Sequence, residues 1–457
     1  MNYKKIALVI GTISLLLPLS ACNNDSNREN QTGKKTLTYL VSSESTAYTN
    51  ILNGLLKEFN ETLKEDGYEI VTEVPGGEYY QSLGNKFASR KAPDIFQMEI
   101  GYFNAYKKYM APLDEYINAS TVLSTNDLWD LNDSYKYEGT YRALIKDFSP
   151  DFMLIYNKTQ LDAYNSSHPD NQIEISSTKP LTWARFYEIT STIQNEMNVQ
   201  YGTSLGFEGV KHLHELVQST GSSMYKDDGT KLNKDDNNVR KAFEFFCALQ
   251  KDNASELKTY YDLNKSSTHK APASYTSGSN TSEYELFKQQ KTFSIFNGLY
   301  SFPAYDFYNT SFEVGIAPHP VMDESSPAYG TTSAMVSHAI SSTSKYKDIA
   351  YKWLEFYQTE GLKRFAKIAY NIPGNKTIAG SDYFLKNEDP NVEKMTNYFY
   401  NYVASKAVHV TEYNPNISFS RVQTCFQTHF GKFYDNTNAL SFNELIDEID
   451  KSIQASV

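Results

Sequence analysis

Cysteine is scarce in this sequence, and its scarcity excludes several kinds of protein. The 457 residues include only 3 cysteines, Cys22, Cys247 and Cys425, which lie far apart. The chain therefore cannot be a small scaffold held by many disulfides, and it has no Cys-x-x-Cys pair of the kind that binds structural zinc. An exported protein can join Cys247 to Cys425, and the spacing leaves open whether this one does.

Basic residues are outnumbered by acidic ones, which argues against a nucleic-acid partner. Lys and Arg together number 43, against 54 for Asp and Glu, so the formal net charge is −11. The chain also contains no long block of consecutive basic residues. Proteins that bind nucleic acids use a basic face or stripe to neutralise phosphates. We therefore expect no nucleic acid among the partners.

Long apolar runs are missing everywhere except at the N-terminus. There, Lys4 and Lys5 precede an apolar run over residues 6–19 that ends in small residues. The run is shorter than the ~20 apolar residues that span a bilayer, and its pattern is typical of a secretory signal. We predict a signal peptide over residues 1–21 and no membrane-spanning helix in the mature chain.

The end of that signal carries a short motif, Leu19-Ser20-Ala21-Cys22. It resembles the lipobox of bacterial lipoproteins, which implies cleavage before Cys22 and lipid on its thiol and new amine; an ordinary secretory signal is the alternative. Residues 23–31 contain no apolar side chain to bury, so residues 22–35 are predicted to form a flexible tether. We expect a protein anchored by lipid to the extracellular face of the cell membrane.

Strand-like and helix-like segments alternate from residue 36 onward. Strands are predicted over residues 36–41, 68–74 and 93–98, with helices between them. This alternation favours an α/β fold with a mostly parallel sheet, in which ligands bind beyond the carboxyl ends of the strands. The chain is too long for a single compact core, so we expect two or three lobes.

Short segments in a fixed order along the chain carry a family resemblance. They are Ala92–Ile95, Ala111–Tyr116, Ile155–Leu161, Pro180–Trp183, Gly315–Pro320 and Ala339–Lys345, followed by a helix that contains Trp353. In this order, behind a lipobox, they resemble the bacterial extracellular solute-binding lipoproteins of ABC transporters, in the carbohydrate-binding, maltose-binding-protein-like branch (family 1). The resemblance covers nearly everything from residue 36 to the C-terminus.

The resemblance implies a two-lobe α/β fold of the periplasmic-binding-protein type (type II), with the solute bound in a cleft between the lobes. Lobe 1 would comprise residues 36–148 and 322–372, and lobe 2 would comprise residues 149–321 and 373–457. Pro150, Pro318 and Pro373 lie at the three implied crossovers, where a proline defines the path of the chain. Ligand binding would then close the lobes about these crossovers.

Polar and aromatic residues beside the predicted strand ends are candidates for ligand contact. They are Ser43, Glu44, Glu99, Tyr102, Asp151, Glu208, Tyr300 and Thr331. Aromatic planes can cover the C–H faces of a sugar ring, while carboxylates and amides bind its hydroxyls. The matching alternatives are helix capping for Ser43 and Glu44, a turn for Asp151 and core packing for Tyr300.

The implied function is capture of an extracellular sugar or oligosaccharide and its delivery to the membrane subunits of an ABC transporter. The resemblance implies a monomer without catalytic residues, metal or cofactor. A secreted carbohydrate-active hydrolase and a peptide-binding surface lipoprotein are the alternatives. Residues 202–206 match Gly-x-Ser-x-Gly, the pattern of a nucleophile elbow around Ser204, but no helix pattern follows directly. His212, His214 and Glu215 do not form the His-Glu-x-x-His motif of zinc hydrolases.

Overall fold

The computed structural model describes residues 34–457 except 44, 151–152, 205–208, 227–228, 251–282, 326–329, 369–370, 406–407, 411–413, 415–416, 418 and 435–439. Within these residues the strands form two main sheets and a small hairpin. The large sheet contains β1 (Lys35–Leu40), β2 (Tyr68–Glu73), β3 (Ile95–Glu99), β6 (Ala143–Pro150), β11 (Gly330–Ile340), β12 (Ile372–Pro373) and β13 (Val408–Val410). The small sheet contains β7 (Met153–Asn157), β8 (Tyr201–Ser204), β9 (Thr292–Asn297) and β10 (Val314–Ala317), and the hairpin is β4 (Lys136–Tyr137) with β5 (Thr140–Tyr141).

Helices surround both sheets. In the first half of the chain they are α1 (Thr46–Thr62), α2 (Tyr79–Ala88), α3 (Ile100–Tyr106), α4 (Asp114–Ala119), α5 (Lys158–Ser167), α6 (Trp183–Glu196), α7 (Gly209–Ser219) and α8 (Asn237–Gln250). In the second half they are α9 (Glu283–Lys288), α10 (Ser301–Ala304), α11 (Lys347–Phe356), α12 (Leu362–Ala366), α13 (Lys376–Ala379), α14 (Asp382–Leu385), α15 (Pro390–Ser405), α16 (Phe419–Tyr434) and α17 (Phe442–Gln454). A π-helical turn, Tyr357–Gly361, joins α11 to α12, and short 3-10 turns include Lys107–Tyr109.

The strand order of the large sheet is β12-β6-β11-β3-β1-β2, with β13 beside β11. β1 is parallel to both β2 and β3, as the alternation of strands and helices predicted. β11 enters between β3 and β6 and runs antiparallel to both, so this sheet is mixed. The small sheet is mixed as well, because β7 runs antiparallel to β9 and β10. Strands β7 and β11 follow implied crossovers. Each begins at the edge of its sheet where the neighbouring strands end, so it runs antiparallel to them.

Helix α1 shows how the sequence determines the first lobe. The side chain of Ser45 accepts a hydrogen bond from the Tyr48 N–H at 3.2 Å and caps the helix. Leu55 and Phe59, at helical spacing, are buried against Trp353 of α11, which is itself fully buried. Phe59 meets Trp353 edge-on at a centroid distance of 5.3 Å. Aromatic pairs of this kind add about 0.5–1.5 kcal/mol beyond the apolar area they bury.

The small-sheet lobe has a core of its own. Trp183 begins α6 and is buried against Phe186 and Phe296. The final helix, α17, joins this core and begins with a reciprocal capping box between Ser441 and Glu444, as the sequence predicts. The cysteines of α8 and α16 belong to the same core, where they are buried and not joined by a disulfide.

The third implied crossover falls beside Gly374. Beyond it, Asn375 still pairs with Leu128, and the Thr377 hydroxyl donates to Asp127 at 2.8 Å. These partners follow β3 in the chain, so the first residues after Pro373 stay beside the large sheet, although the sequence analysis assigned residues 373–457 to lobe 2. The reason is local: the Gly374 N–H donates to the Lys146 carbonyl at 3.0 Å and continues the pairing of β12 with β6. The exact lobe limits remain a prediction.

Candidate binding site between the two sheets

The pairing of the strands places the loop-bearing edges of the two sheets next to each other. Strands β1, β3 and β6 of the large sheet all end at one edge, called here its carboxyl edge. Strands β8, β9 and β10 end at the corresponding edge of the small sheet, where β7 begins. Because β6 ends at Pro150 and β7 begins at Met153, the chain connects these two edges over a few residues. Loops from both sheets therefore surround one region, as ligand sites of α/β sheets require.

A buried amide fixes the end of β1. The side-chain oxygen of Gln97, in β3, accepts from the Ser42 N–H and from the Ser42 hydroxyl, both at 2.7 Å. Gln97 is 2% exposed, and its side-chain nitrogen has no hydrogen-bond partner among the described residues. The carbonyl and N–H of Gln97 both bond to the Tyr79 hydroxyl, at 3.0 and 2.9 Å. This arrangement holds the loop that carries Ser43 in a defined position.

Tyrosines of α2 and α3 form an aromatic stack beside Glu99. The rings of Tyr80 and Tyr102 lie face to face, with a centroid distance of 3.5 Å and an interplanar angle of 11°. The Tyr80 hydroxyl accepts from the Glu99 N–H at 2.7 Å. Burial raises the pKa of the Tyr80 hydroxyl well above its usual range, and the Glu99 carboxylate raises it further. Tyr80 therefore stays neutral, while the Glu99 side chain is exposed.

The small sheet presents a second group of tyrosines at its own carboxyl edge. Asn297 ends β9, and its side-chain amide donates to the Tyr284 hydroxyl at 2.6 Å. Tyr284 stacks on Tyr305 with a centroid distance of 3.6 Å and an interplanar angle of 11°. Burial raises the pKa of Tyr284, and the neighbouring Tyr300 raises it further. Tyr300 itself is half-buried, directly before α10.

The structure describes some of the candidate residues named from the sequence and not others. Ser43, Glu99 and Tyr102 lie at the carboxyl edge of the large sheet, and Tyr300 lies at that of the small sheet. Thr331 lies in β11, where its backbone pairs with His409. Cys22, Glu44, Asp151 and Glu208 fall outside the described residues. Ligand contact by any of these residues remains a prediction.

Other residues at these edges were missed by sequence reasoning. They are Gln97, Tyr80, Tyr284 and Tyr305. The high tyrosine content of the chain was noted, but composition does not say which of 36 tyrosines meet at one place. Tyr80 and Tyr102 are separated by more than a helix in the chain, and their stacking depends on how α2 and α3 pack. Gln97 has a weak signal of its own, a polar residue inside the apolar run of β3.

Histidines and an acid form a separate, buried group in the small-sheet lobe. The Nδ1 atom of His212 lies 3.3 Å from Nε2 of His319, whose Nδ1 lies 3.3 Å from the Glu215 carboxylate. Burial lowers the pKa of His319 well below its usual range, and His212 lowers it further. Among the described residues, no group of three or more His, Cys, Asp and Glu side chains is arranged to hold a metal ion. The histidines thus belong to the packed interior of this lobe.

Two surface grooves in the described part of the molecule lie elsewhere. One follows β2 and is lined by residues 73–78 and by α2. The other lies beside α14 and is lined by Lys367, Tyr383 and Glu388, among others. Neither contains a candidate residue from the sequence or one of the tyrosine stacks.

No helix in the described part of the chain is long and apolar enough to cross a bilayer.

Solved structures share this fold over nearly the whole chain. An ABC substrate-binding protein from Listeria monocytogenes, in complex with cycloalternan, has a TM-score of 0.70 at 17% identity, with 92% of this chain and 98% of that chain covered. The GacH receptor of Streptomyces glaucescens, solved unliganded and with acarbose, has a TM-score of 0.69 at 16% identity, with 92% and 97% covered. The sugar-binding protein MalE from Xanthomonas citri has a TM-score of 0.69 at 15% identity, with 92% and 96% covered. The fold is therefore the two-lobe α/β fold of type II periplasmic binding proteins.

A family model identifies the family to which the chain belongs. The model of the bacterial extracellular solute-binding proteins matches residues 43–363, which is more than half of the chain. The chain belongs to this family, whose members bind solutes outside the cell. A search of curated protein sequences gave no match.

Proposed function

We propose that this protein captures a sugar or oligosaccharide between its two sheets and delivers it to the membrane subunits of an ABC transporter. The observation that carries the proposal is the pair of tyrosine stacks, Tyr80 with Tyr102 and Tyr284 with Tyr305, at the carboxyl edges of the two sheets. Stacked and half-buried tyrosines offer apolar faces for sugar rings and hydroxyls for their edges. Exposed Glu99 adds a hydrogen-bond acceptor beside the first stack.

The structural relatives support a carbohydrate over other solutes. Two of those named above were solved with cycloalternan or acarbose, and another, from Arthrobacter globiformis, is named as binding cyclic α-maltosyl-1,6-maltose. These ligands belong to those proteins, and at the sequence identities involved they carry over to this chain only as part of the proposal. The ligand-contact residues proposed here are Ser43, Glu44, Glu99, Tyr102, Asp151, Glu208, Tyr300 and Thr331.

The proposal includes binding without turnover. The family and its structural relatives are binding proteins, and the chain offers no supported set of catalytic residues. Ser204, the centre of the Gly-x-Ser-x-Gly match, ends β8. A Ser204→Ala variant should therefore bind the same sugar as the parent, with no product formed by either.

The proposal also includes attachment by lipid at Cys22, on the extracellular face of the membrane, and a monomeric state. It is supported by the lipobox-like motif and by the family, whose members act outside the cell. The proposed lobes are residues 36–148 with 322–372, and 149–321 with 373–457.

A ligand screen tests the proposal. Thermal unfolding is measured with a panel of mono- and oligosaccharides and with a matched panel of short peptides, and any sugar that stabilises the protein is then analysed for degradation. A ligand bound only by the native state at 100 times its Kd stabilises by about 2.7 kcal/mol. We expect at least one sugar to raise the melting temperature and to be recovered intact. Stabilisation by peptides alone, or hydrolysis that Ser204→Ala abolishes, would favour one of the two alternatives instead.

A further inference from the structure

Three cations lie at the amino edge of the large sheet, the edge opposite the candidate binding site. Arg90 and Lys91 follow α2, and Lys108 lies in the 3-10 turn before β4. All three side chains are exposed. None forms an ion pair or a side-chain hydrogen bond with another residue that the structure describes. Lys86, one turn earlier in α2, is bound to Glu73 at 2.6 Å and is not counted with them.

Backbone pairing fixes the position of these cations relative to the start of the fold. Tyr39 of β1 lies beside Ile95 of β3, and the two strands are parallel, so β3 begins at the same edge as β1, and Lys91 precedes the start of β3 by four residues. Ile95 and Glu99, the first and last residues of β3, are separated by about 13 Å at the ~3.3 Å rise of a strand. The cations and the candidate binding site are therefore at opposite edges of the sheet.

An exposed aromatic ring lies among the cations. Tyr109 directly follows Lys108 and is 46% exposed. Phe87 of α2 stacks on its ring with a centroid distance of 4.7 Å and an interplanar angle of 27°, which joins the two chain segments. The Tyr109 carbonyl accepts from the Ser342 N–H at 2.8 Å, so the ring is held at this edge. Tyrosine is enriched where proteins meet the interface of a membrane, because its ring is apolar and its hydroxyl is wet.

The fold by itself does not explain why the three cations and Tyr109 lie together at this edge. A cation at the carboxyl end of α2 is favourable because of the helix dipole, and Lys86 already meets that need. Lys108 and Tyr109 belong to a different segment and gain nothing from that dipole. The chain has a net charge of −11, so an unpaired group of cations on two separate segments departs from the general character of its surface.

We propose that Arg90, Lys91, Lys108 and Tyr109, the docking surface, rest on anionic lipid headgroups of the membrane to which the chain is tethered. This proposal rests on the proposed lipid at Cys22, since β1 begins at Lys35 on the same edge. Thirteen residues span at most about 45 Å when fully extended, which keeps this edge near the bilayer. A lipid surface is the occupant that the tether brings to this edge, and phosphate headgroups match the unpaired cations.

The acidic character of the whole chain does not prevent such docking. Charges farther apart than about 10 Å are largely screened at 0.1 M salt, so the local surface decides the interaction. Among the acidic residues at this edge, Glu65, Asp66 and Glu69 lie at the start of β2, on the far side of β1 from β3, while the buried Asp94 accepts from the Thr38 N–H and from the Ser344 hydroxyl. Each Lys or Arg near an anionic membrane strengthens binding about fivefold. Docking in this orientation leaves the carboxyl edges of both sheets open to the extracellular side.

Flotation with lipid vesicles tests the docking surface. The mature chain from residue 22, with Cys22→Ser so that it carries no lipid, is mixed with vesicles of phosphatidylcholine alone or with an equal part of phosphatidylglycerol. The test variant carries Arg90→Gln, Lys91→Gln and Lys108→Gln. The matched control carries Lys179→Gln, Lys291→Gln and Lys432→Gln, three exposed cations of the small-sheet lobe, so that both variants lose the same charge.

We expect the parent and the control variant to bind the anionic vesicles and not the neutral ones, and the test variant to bind on the order of 100-fold more weakly. Binding of the parent to neither kind of vesicle, equal binding to both, or an equal loss in the two variants would overturn the proposal. Sugar binding is measured on the same samples and should be the same in all three. Loss of sugar binding throughout would sink the proposed function and leave the vesicle result standing, so the two failures are distinguishable.

Discussion

Tyrosine gives the candidate site its chemistry, and Tyr300 is the residue that tests it. Tyr300→Ala removes a half-buried ring beside the Tyr284–Tyr305 stack and leaves one face of a bound sugar exposed to water. The expected loss is about 1–2 kcal/mol of binding free energy, or roughly five- to thirty-fold in affinity, measured by calorimetric titration with the sugar found in the screen. Tyr300→Phe keeps the ring and should keep most of the affinity. If Tyr300→Ala binds like the parent, the ring is not a sugar platform.

Buried histidines make the stability of the protein depend on pH. Burial lowers the pKa of His214 to about 3, and it lowers the pKa of His319 and His338 well below the usual range. In the unfolded chain a histidine has a pKa near 6.5, so below that pH the unfolded state binds protons that the folded state excludes. The stabilisation is therefore complete above about pH 6.5 and is lost as the pH falls toward the folded-state values.

Urea unfolding at pH 7 and pH 5 measures this effect. Each such histidine should lower the free energy of unfolding by about 2 kcal/mol between the two pH values. His214→Gln should remove one such contribution from the pH difference, whatever its effect on stability at pH 7. An undiminished pH difference in His214→Gln would contradict the assignment.

At the residue scale, the sequence predicts which side chains pack in the core better than it predicts which side chains meet at the candidate site. Apolar neighbours at helical spacing, which are a local signal, predict that Trp183 and Trp353 pack in the core, and both are buried. The contact of Gln97 with Ser42 joins residues 55 positions apart and has no local signal. Candidate residues could be placed at strand ends, because strand ends can be read from the sequence. Which neighbouring side chains stack there depends on helix packing.

Glycines in two elements provide a matched pair of tests. An added Cβ at Gly374 would lie 1.7 Å from the Ile145 carbonyl oxygen, because the chain beyond β12 passes directly over β6. Gly374→Ala should therefore lower the free energy of unfolding by about 1–3 kcal/mol or more, since the backbone must shift. Gly431, in α16, has nothing within 4 Å of such an atom, and Gly431→Ala should raise it by about 0.5–1 kcal/mol. Denaturant titration of both variants measures this, and equal effects would contradict the close approach at β12.

Helices and strands whose sequence signals lie in neighbouring residues were predicted well. The first three strands and the helices between them, α1 and α2, appear in the predicted order, and the capping box of α17 is present. The sequence pattern predicts a helix over residues 79–91, but α2 ends at Ala88, and Arg90 adopts a left-handed φ of 58° in the turn that follows. The antiparallel placement of β11 between β3 and β6 was not predicted, because it joins strands from distant parts of the chain.

At the scale of the whole molecule, the proposed attachment at Cys22 would determine where the protein works. Cys22→Ala removes the thiol that would carry lipid, so the chain should appear in the culture medium or remain as unprocessed precursor. Fractionation with immunoblotting and mass spectrometry of the mature N-terminus measure this. Ser20→Thr, which leaves the thiol in place, is the control and should remain in the membrane fraction. Unchanged processing and retention of Cys22→Ala, with no lipid on the mature terminus, would rule out the anchor.

The central claim is that a sugar binds between the two sheets and draws them together. Small-angle X-ray scattering of the mature chain, without ligand and at saturation with the tightest-binding sugar of the panel, tests it most directly. Closure about the crossovers near Pro150, Pro318 and Pro373 should give a smaller radius of gyration with the sugar and no change with a non-binding sugar of equal size. An unchanged radius of gyration at a saturation confirmed by calorimetry would contradict closure of the two lobes on the ligand.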